Sequence, residues 1–270
     1  MKALLLARGV GRRMQAAGDP AGLTAAQRAA AATGAKGMMP IGTGGRPFLD
    51  HVLSALADAG CRDVCLVVAP DHQGIAGYYG GPGRPSRVRL SFAVQPVANG
   101  TAQAVLAGQA FVGDDPFLVL NADNLYPAGV LQALVALDGP GLPAFDREAL
   151  VRDSGFPAER VANFALLDVD PQSHLRGIVE KPSAAALAAA GAHALVSMNV
   201  WRFDRRMFNA CAGVPISARG EYELPEAVAL AITAGVPFRA IRARGAVLDL
   251  SRQGDIPLVS ARLAGLEPRP

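Results

Sequence analysis

The sequence predicts an α/β fold built on a mostly parallel sheet with helices on both faces. Short apolar runs at residues 3–7 (ALLLA), 64–69 (VCLVVA) and 116–120 (PFLVL) are bounded closely by Gly, Pro or charged residues, the pattern of strands buried on both faces. Longer segments of helix formers lie between them, and strand and helix alternating at this spacing make right-handed crossover units. The chain of 270 residues is 51% hydrophobic and 18% charged, enough for a large core at the upper end of single-domain size.

The first run feeds a glycine loop within MKALLLARGVGRRM. Gly9 and Gly11 let the backbone approach a ligand, and Arg8, Arg12 and Arg13 offer forked donors matched to phosphate oxygens. Met14 stands where the dinucleotide fingerprint needs its third glycine, so the segment also reads as an ordinary tight turn. Residues 23–33 (LTAAQRAAAAT) predict a short helix stopped by Gly34, and residues 34–47 are too rich in Gly and Pro for regular structure. Pro47 then opens a helix with Phe48, Val52, Leu53 and Leu56 on its apolar face, stopped by Gly60.

The strand at 64–69 follows, then a strand at 87–95, a helix at 102–111 and the strand at 116–120. Residues 80–85 (GGPGRP) read as a mobile loop. Beyond Pro140 the rhythm changes. Strands at 161–169 and 176–180 flank a turn at 170–173, and a strand at 194–203 precedes helices at 204–211 and 223–234 and strands at 236–241 and 246–250. This half reads as α+β material continuing the first sheet. No repeat or low-complexity linker marks a boundary, so one domain over residues 1–270 is expected.

The formal net charge of +3 is modest and no basic block stands out, which argues against a broad nucleic-acid footprint. No apolar run is long enough to span a bilayer, and the N-terminal run breaks at Arg8 without a small-residue cleavage pattern. Cys61, Cys65 and Cys211 are odd in number and include no C-x-x-C pair, so a disulfide framework or zinc site is not expected and a reducing cytoplasm fits. The four histidines show no metal-ligand spacing and no nucleophile partner.

Ligands of such sheets bind beyond the carboxyl ends of the strands, which places the Gly9 loop, Gln95 and Asp123 along one edge. Asp123, in NADN, follows PFLVL and offers a hard oxygen suited to Mg²⁺; it equally suits a helix N-cap or Asx turn. Asp249, in VLDLS, is a second carboxylate at a strand tip, and the pair fits one metal only if the fold brings them together. Lys36 lies in a flexible stretch and Lys181 directly after a strand, each readable as a solvated surface charge. Pro182 predicts extended geometry at Lys181. Gln95 ends a strand before Gly100 and Thr101 open a helix; its amide suits a base edge, while the alternative is a turn capped by Thr101.

Taken in order, LLLARGVGRRM, KGMMPIGTGGRPFLDHVLSAL, QPVANGTAQAV, FLVLNADN, IVEKPS, SMNVWRF and VLDLSRQGDI resemble the sugar-1-phosphate nucleotidylyltransferases, or nucleotide-sugar pyrophosphorylases, over nearly the whole chain. The resemblance implies a Rossmann-like three-layer sandwich with a mixed, mostly parallel central sheet. It also implies transfer of a nucleotidyl group from a nucleoside triphosphate to a sugar 1-phosphate with release of pyrophosphate, using Mg²⁺. On this basis Gly9, Gly11, Arg13 and Lys36 handle the triphosphate, with Ala7, Arg12 and Asn121 beside them. Gln95, Gly100 and Thr101 form the base-reading loop, and Asp123 and Asp249 are the metal ligands. Glu180, Ala165 and Asn199 lie at the sugar, and Lys181 holds its phosphate. Arg13, Lys36 and Lys181 are the expected catalytic cations. The nucleotide half then covers about residues 1–140 and the sugar-phosphate half about 141–270, with no room for a C-terminal β-helix and with oligomeric state open.

Arg8 and Arg12 depart from the small residue and the Ser or Thr usual at their positions, and the segment between Gln15 and Ala35 is longer than in many members. Ala165 and Asn199 replace frequent glycines, which bears on the sugar. The charge of Arg8 and Arg12 motivates one alternative, a catalytically lapsed domain that binds nucleotide or sugar nucleotide; a second, within the same fold, is a cytidylyltransferase acting on a phosphorylated alcohol such as phosphocholine. A glycosyltransferase fits less well, because NADN lacks the paired Asp-x-Asp. Gln95 suits the edge of uracil or thymine, but an amide can flip, which leaves the base open.

Overall fold

The apolar runs become the centre of a 10-stranded sheet. The computed structural model describes residues 1–9, 11–16 and 22–270. Its strands are β1 (Lys2–Leu6), β2 (Pro40–Ile41), β3 (Arg46–Pro47), β4 (Asp63–Val68), β5 (Arg89–Val94), β6 (Phe117–Asn121), β7 (Asn124–Leu125), β8 (Gly141–Asp146), β9 (Leu166–Val169), β10 (Leu175–Val179), β11 (Leu195–Val196), β12 (Val200–Phe203), β13 (Arg239–Ala243) and β14 (Leu248–Asp249). Across the main sheet the order is β10, β9, β11, β8, β12, β6, β1, β4, β5, with β13 also on β8. The ladders β2–β3 and β7–β14 stand apart from it.

Strands β6, β1, β4 and β5 are parallel neighbours, β12 runs against β6, and β13 lies parallel to β8. Side-chain alternation then divides the core into two layers. Leu4, Cys65, Phe117 and Val119 pack with Val105, Met207, Phe208 and Val228 from the helices Thr101–Ala107, Arg206–Gly213 and Leu224–Thr233. Ala3, Leu5, Leu66, Leu118 and Leu120 face the other way, against Val52, Leu53, Leu131 and Leu134 from the helices Phe48–Asp58 and Ala128–Ala136. The result is the expected three-layer sandwich with a mixed, mostly parallel sheet.

Several boundaries differ from expectation. The predicted strand 161–169 is strand only over β9; its first residue ends the short helix Ala158–Val161. The predicted strand 194–203 divides into β11 and β12, because Asn199 takes a left-handed conformation (φ 58°) that no continuous strand can hold. β11 then pairs with β9 while β12 pairs with β6, both bordering β8. The helices Gln73–Gly80, Arg147–Ser154, Ala184–Ala190 and Ile256–Arg262 and the strand β8 were not legible beforehand. Gly80 belongs to the first of these helices rather than to a loop, and residues 34–47 contain a 3-10 turn, Lys36–Met38, and the β2–β3 ladder. The insertion between Gln15 and Ala35 lies partly outside the described residues. Its described part includes the helix Ala25–Thr33, which opens on a capping box between Thr24 and Gln27.

A buried charge ties the helix Phe48–Asp58 to the helix Gln73–Gly80. Asp50 is 0% exposed and accepts from Arg46 Nε at 2.7 Å, Tyr79 Oη at 2.8 Å and Tyr78 Oη at 3.1 Å. Arg46→Met leaves that carboxylate with tyrosine donors alone and is expected to destabilise the fold by about 1–2 kcal/mol, less than the cost of breaking a fully buried pair because Arg46 is itself more than a third exposed. A lower urea midpoint at unchanged m-value is the expected reading.

Candidate functional site

β1, β4, β5 and β6 are parallel, so their carboxyl ends share one edge of the sheet, and a cleft of about 420 Å³ opens there. Its lining includes Ala7, Gly9, Gly11, Arg12, Arg13, Lys36, Gln95, Gly100, Thr101, Asn121 and Asp123, the whole residue set expected for the nucleotide together with two of the expected catalytic cations and one expected metal ligand. Ile75, Glu221 and Arg8 line it as well.

Each wall follows from local chain geometry. Gly11 has φ 64°, and a Cβ there would collide with the Gly34 carbonyl, so only glycine lets the β1 loop lie against the turn carrying Lys36. Arg12 and Arg13 begin the single helical turn Arg12–Gln15. Gly100 has φ 125°, and a Cβ there would strike the Tyr222 backbone. That close approach is locked by Tyr222 N–H donating to Asn99 O at 2.8 Å and by Ala102 N–H donating to Tyr222 O at 2.9 Å. Gly100→Ala is expected to strain the dihedral by roughly 1–3 kcal/mol and to part these two loops. A lower melting temperature together with weaker nucleotide triphosphate binding by calorimetry is the expected result.

Thr101 is not the N-cap, a place taken by Gly100; its Oγ1 accepts from Leu224 N–H at 3.0 Å instead. Gln95 is buried, and its Nε2 donates to Gly100 O at 3.0 Å and Asn99 Oδ1 at 3.2 Å. A carbonyl can only accept, so these contacts set the amide orientation, and among the described residues no hydrogen bond engages Oε1.

Asp123 and Asp249, far apart in sequence, are brought together by the β7–β14 ladder. Asp249 pairs with Asn124, and Leu250 N–H donates to Asp123 O at 2.9 Å. Asp123 Oδ2 meets Lys36 Nζ at 2.8 Å rather than capping a helix. Asp249 is held above the ordinary carboxylate range, first by burial and then by the charge of Asp123. Arg160 Nη2 lies 2.8 Å from Asp249 Oδ2, its Nη1 lies 2.7 Å from Asp255 Oδ1, and its guanidinium sits 5.0 Å from the centre of the Phe156 ring. Ser251 Oγ donates to Asp249 Oδ1 at 2.5 Å.

Two adjacent carboxylates present hard oxygens of the kind Mg²⁺ takes alongside substrate phosphates and water. Among the described residues no group of three or more His, Cys, Asp or Glu forms a metal cage, and a site that borrows phosphate oxygens does not need one. The donor set therefore fits Mg²⁺.

Ala165, Glu180, Lys181 and Asn199 do not line the nucleotide cleft. They lie around the place where the partner strand changes. Ser197 N–H donates to Ala165 O at 2.9 Å, Asn199 N–H donates to Ser197 Oγ at 3.2 Å, and Tyr126 Oη donates to Met198 O at 2.5 Å, linking this region to the chain beside Asp123. Lys181 is exposed and has φ 46°, which corrects the extended geometry expected from Pro182. Glu180 is pushed up by burial and then by Glu223. Arg219 bridges the two, with Nη2 3.9 Å from Glu180 Oε1 and Nε 2.7 Å from Glu223 Oε1.

The nucleotidyl transferase family profile matches residues 28–250. The chain belongs to the nucleotidyl transferase family. Among its relatives, a low-salt glycan biosynthesis nucleotidyltransferase of Haloferax volcanii is 26% identical, covering 95% of this chain and 64% of the relative. A UTP–glucose-1-phosphate uridylyltransferase of the same organism is 27% identical, with 84% and 87% covered. The structure of a UDP-glucose pyrophosphorylase complexed with UDP-glucose superposes with a TM-score of 0.76 at 16% identity, covering 97% of each chain, which establishes the shared fold. The chain spans about half to two thirds of the length of the first curated relatives it matches.

The loop with Gly9 and Gly11 precedes the matched span, so in this nucleotidyl transferase its place in the site rests on the geometry of the cleft. Sequence reasoning missed Arg160, Arg219 and Tyr126. Arg219 stands among Glu residues in SARGEYE, a charge cluster that was a readable signal; Arg160 lay in a stretch read as the approach to a strand, with nothing to mark it.

Proposed function

We propose that the chain is a Mg²⁺-dependent nucleotidylyltransferase that joins a nucleoside triphosphate to a sugar 1-phosphate, giving a nucleotide-sugar and pyrophosphate. The observation that carries this reading is the one cleft that Arg13, Lys36 and Asp123 line together with the oriented amide of Gln95. Cations suited to phosphate oxygens and an amide suited to a base edge are the two kinds of group a nucleoside triphosphate calls for.

In this mechanism Gln95 and the Gly100 loop hold the base, and Arg13 and Lys36 draw the β- and γ-phosphates toward the β1 loop. Lys181 positions the sugar phosphate, with Ala165, Glu180 and Asn199 framing the sugar. A phosphate oxygen of the sugar 1-phosphate attacks the α-phosphorus as the bond to the β-phosphate oxygen breaks, and the electron pair leaves with pyrophosphate. No general base is needed, because a phosphate monoester is largely ionised at neutral pH. Asp123 and Asp249 would hold Mg²⁺, which when bound neutralises charge on the phosphate oxygens. The chain's own share of catalysis is alignment and fixed positive charge.

The test is a panel. The protein is supplied with each nucleoside triphosphate, Mg²⁺ and sugar 1-phosphates or phosphocholine, and pyrophosphate is assayed. Release with a sugar 1-phosphate is expected. Release only with phosphocholine replaces the acceptor, and tight nucleotide binding without turnover across the panel replaces the enzyme reading.

A further inference from the structure

Arg8 lines the cleft at a position where the resembling family carries a small residue, and its guanidinium bonds the protein's own main chain. Its Nε donates to Gln95 O at 3.3 Å and its Nη2 donates to Pro96 O at 3.4 Å. These two carbonyls belong to the segment that leaves β5 toward the base-reading loop. On the other side of the same residue, Gln95 Nε2 is held by Gly100 O and Asn99 Oδ1.

We propose that Arg8 is a positioning residue for base discrimination, gripping the main chain of Gln95 so that its side-chain amide meets the nucleobase at a set place. Gln95 is thereby held at two points, main chain by Arg8 and side chain by the Gly100 turn. A guanidinium can span two successive carbonyls with its planar fork, whereas an ammonium offers a point charge on a flexible stem. Donors of Arg8 not engaged by these carbonyls remain for the nucleotide, since Arg8 lines the cleft.

Two roles of Arg8 predict different outcomes. Removing a guanidinium that acts only on the triphosphate weakens every nucleotide by the same factor, because that part of the ligand is common to all. Removing one that aims Gln95 changes the ratio between bases, because only the base differs.

This inference rests on the reading that the cleft takes a nucleoside triphosphate. The experiment is calorimetric binding of ATP, GTP, CTP, UTP and dTTP, each with Mg²⁺, to the wild-type chain and to Arg8→Met and Arg8→Lys, with melting curves confirming the fold. The expected result is that the ratio of best to worst affinity falls about tenfold in Arg8→Met, the scale of one charge-assisted hydrogen bond. Arg8→Lys is expected to regain affinity for all five without regaining the ratio. Uniform weakening with the ratio intact, no change, or a ratio restored by Lys overturns the inference. Wild-type protein that binds all five alike also overturns it while leaving the nucleotide reading in place; wild-type protein that binds none overturns both.

Discussion

Asp123→Asn is expected to lower pyrophosphate release on the order of 10²–10³-fold while leaving the melting temperature nearly unchanged. The substitution keeps the shape of the side chain and removes the charge that faces Lys36 at 2.8 Å. A neutral amide still fills the space beside β7, so packing is preserved, but the pair of carboxylates formed with Asp249 is lost. Mn²⁺ binding, followed by electron paramagnetic resonance, should weaken in parallel. Full turnover by this variant on a substrate pair accepted by the wild type would show that the metal site has been misplaced.

Lys36→Met is expected to move two readouts in opposite directions. Turnover should fall on the order of 10²–10³-fold, because Lys36 is one of the cations proposed to act on the triphosphate. Mn²⁺ affinity of the nucleotide-free protein should rise a few-fold, because Lys36 and a divalent cation compete for Asp123. Both side chains are only 20% exposed, so the pair is largely sheltered from solvent, and removing the ammonium leaves the Asp123 carboxylate to the metal alone. A variant that merely disturbed the fold would lose both activity and metal affinity. Weaker Mn²⁺ binding at an unchanged melting temperature would therefore count against the competition between Lys36 and the metal.

Much of the sheet was legible because buried parallel strands are written as unbroken apolar runs. β1, β4 and β6 show this directly, each with buried residues on both faces. β8 was not legible, because GLPAFD carries Gly and Pro, residues that ordinarily argue against a strand interior, although it lies inside the sheet between β12 or β11 and β13. The helix Gln73–Gly80 was hidden by the glycines of QGIAGYYG, and it is held in place partly by Tyr78 and Tyr79 reaching Asp50. The local pattern marked no element over residues 73–79, and tertiary contacts hold the helix.

The site shows the same division. The Gly9 loop, Gln95 and Asp123 were placed on one edge by the rule for parallel sheets, and the structure brings them to one cleft. The meeting of Asp123 with Asp249 depends on a chain path that returns after nearly half the sequence, through the short β7–β14 ladder, and no local spacing encodes it. Lys181 illustrates a local rule overridden: proline following it predicts extended backbone, yet φ is 46° where the chain turns out of β10. Arg160 became visible only through the carboxylates it joins.

The bond broken in the nucleotide tests the account most directly. The protein is incubated with Mg²⁺, a mixture of sugar 1-phosphates and each nucleoside triphosphate in turn, and the products are followed by ³¹P NMR. The account predicts paired resonances of a sugar-linked nucleoside diphosphate and an equal amount of pyrophosphate, showing cleavage between the α- and β-phosphates. Orthophosphate with nucleoside diphosphate would place cleavage at the γ-phosphate and contradict the proposed transfer.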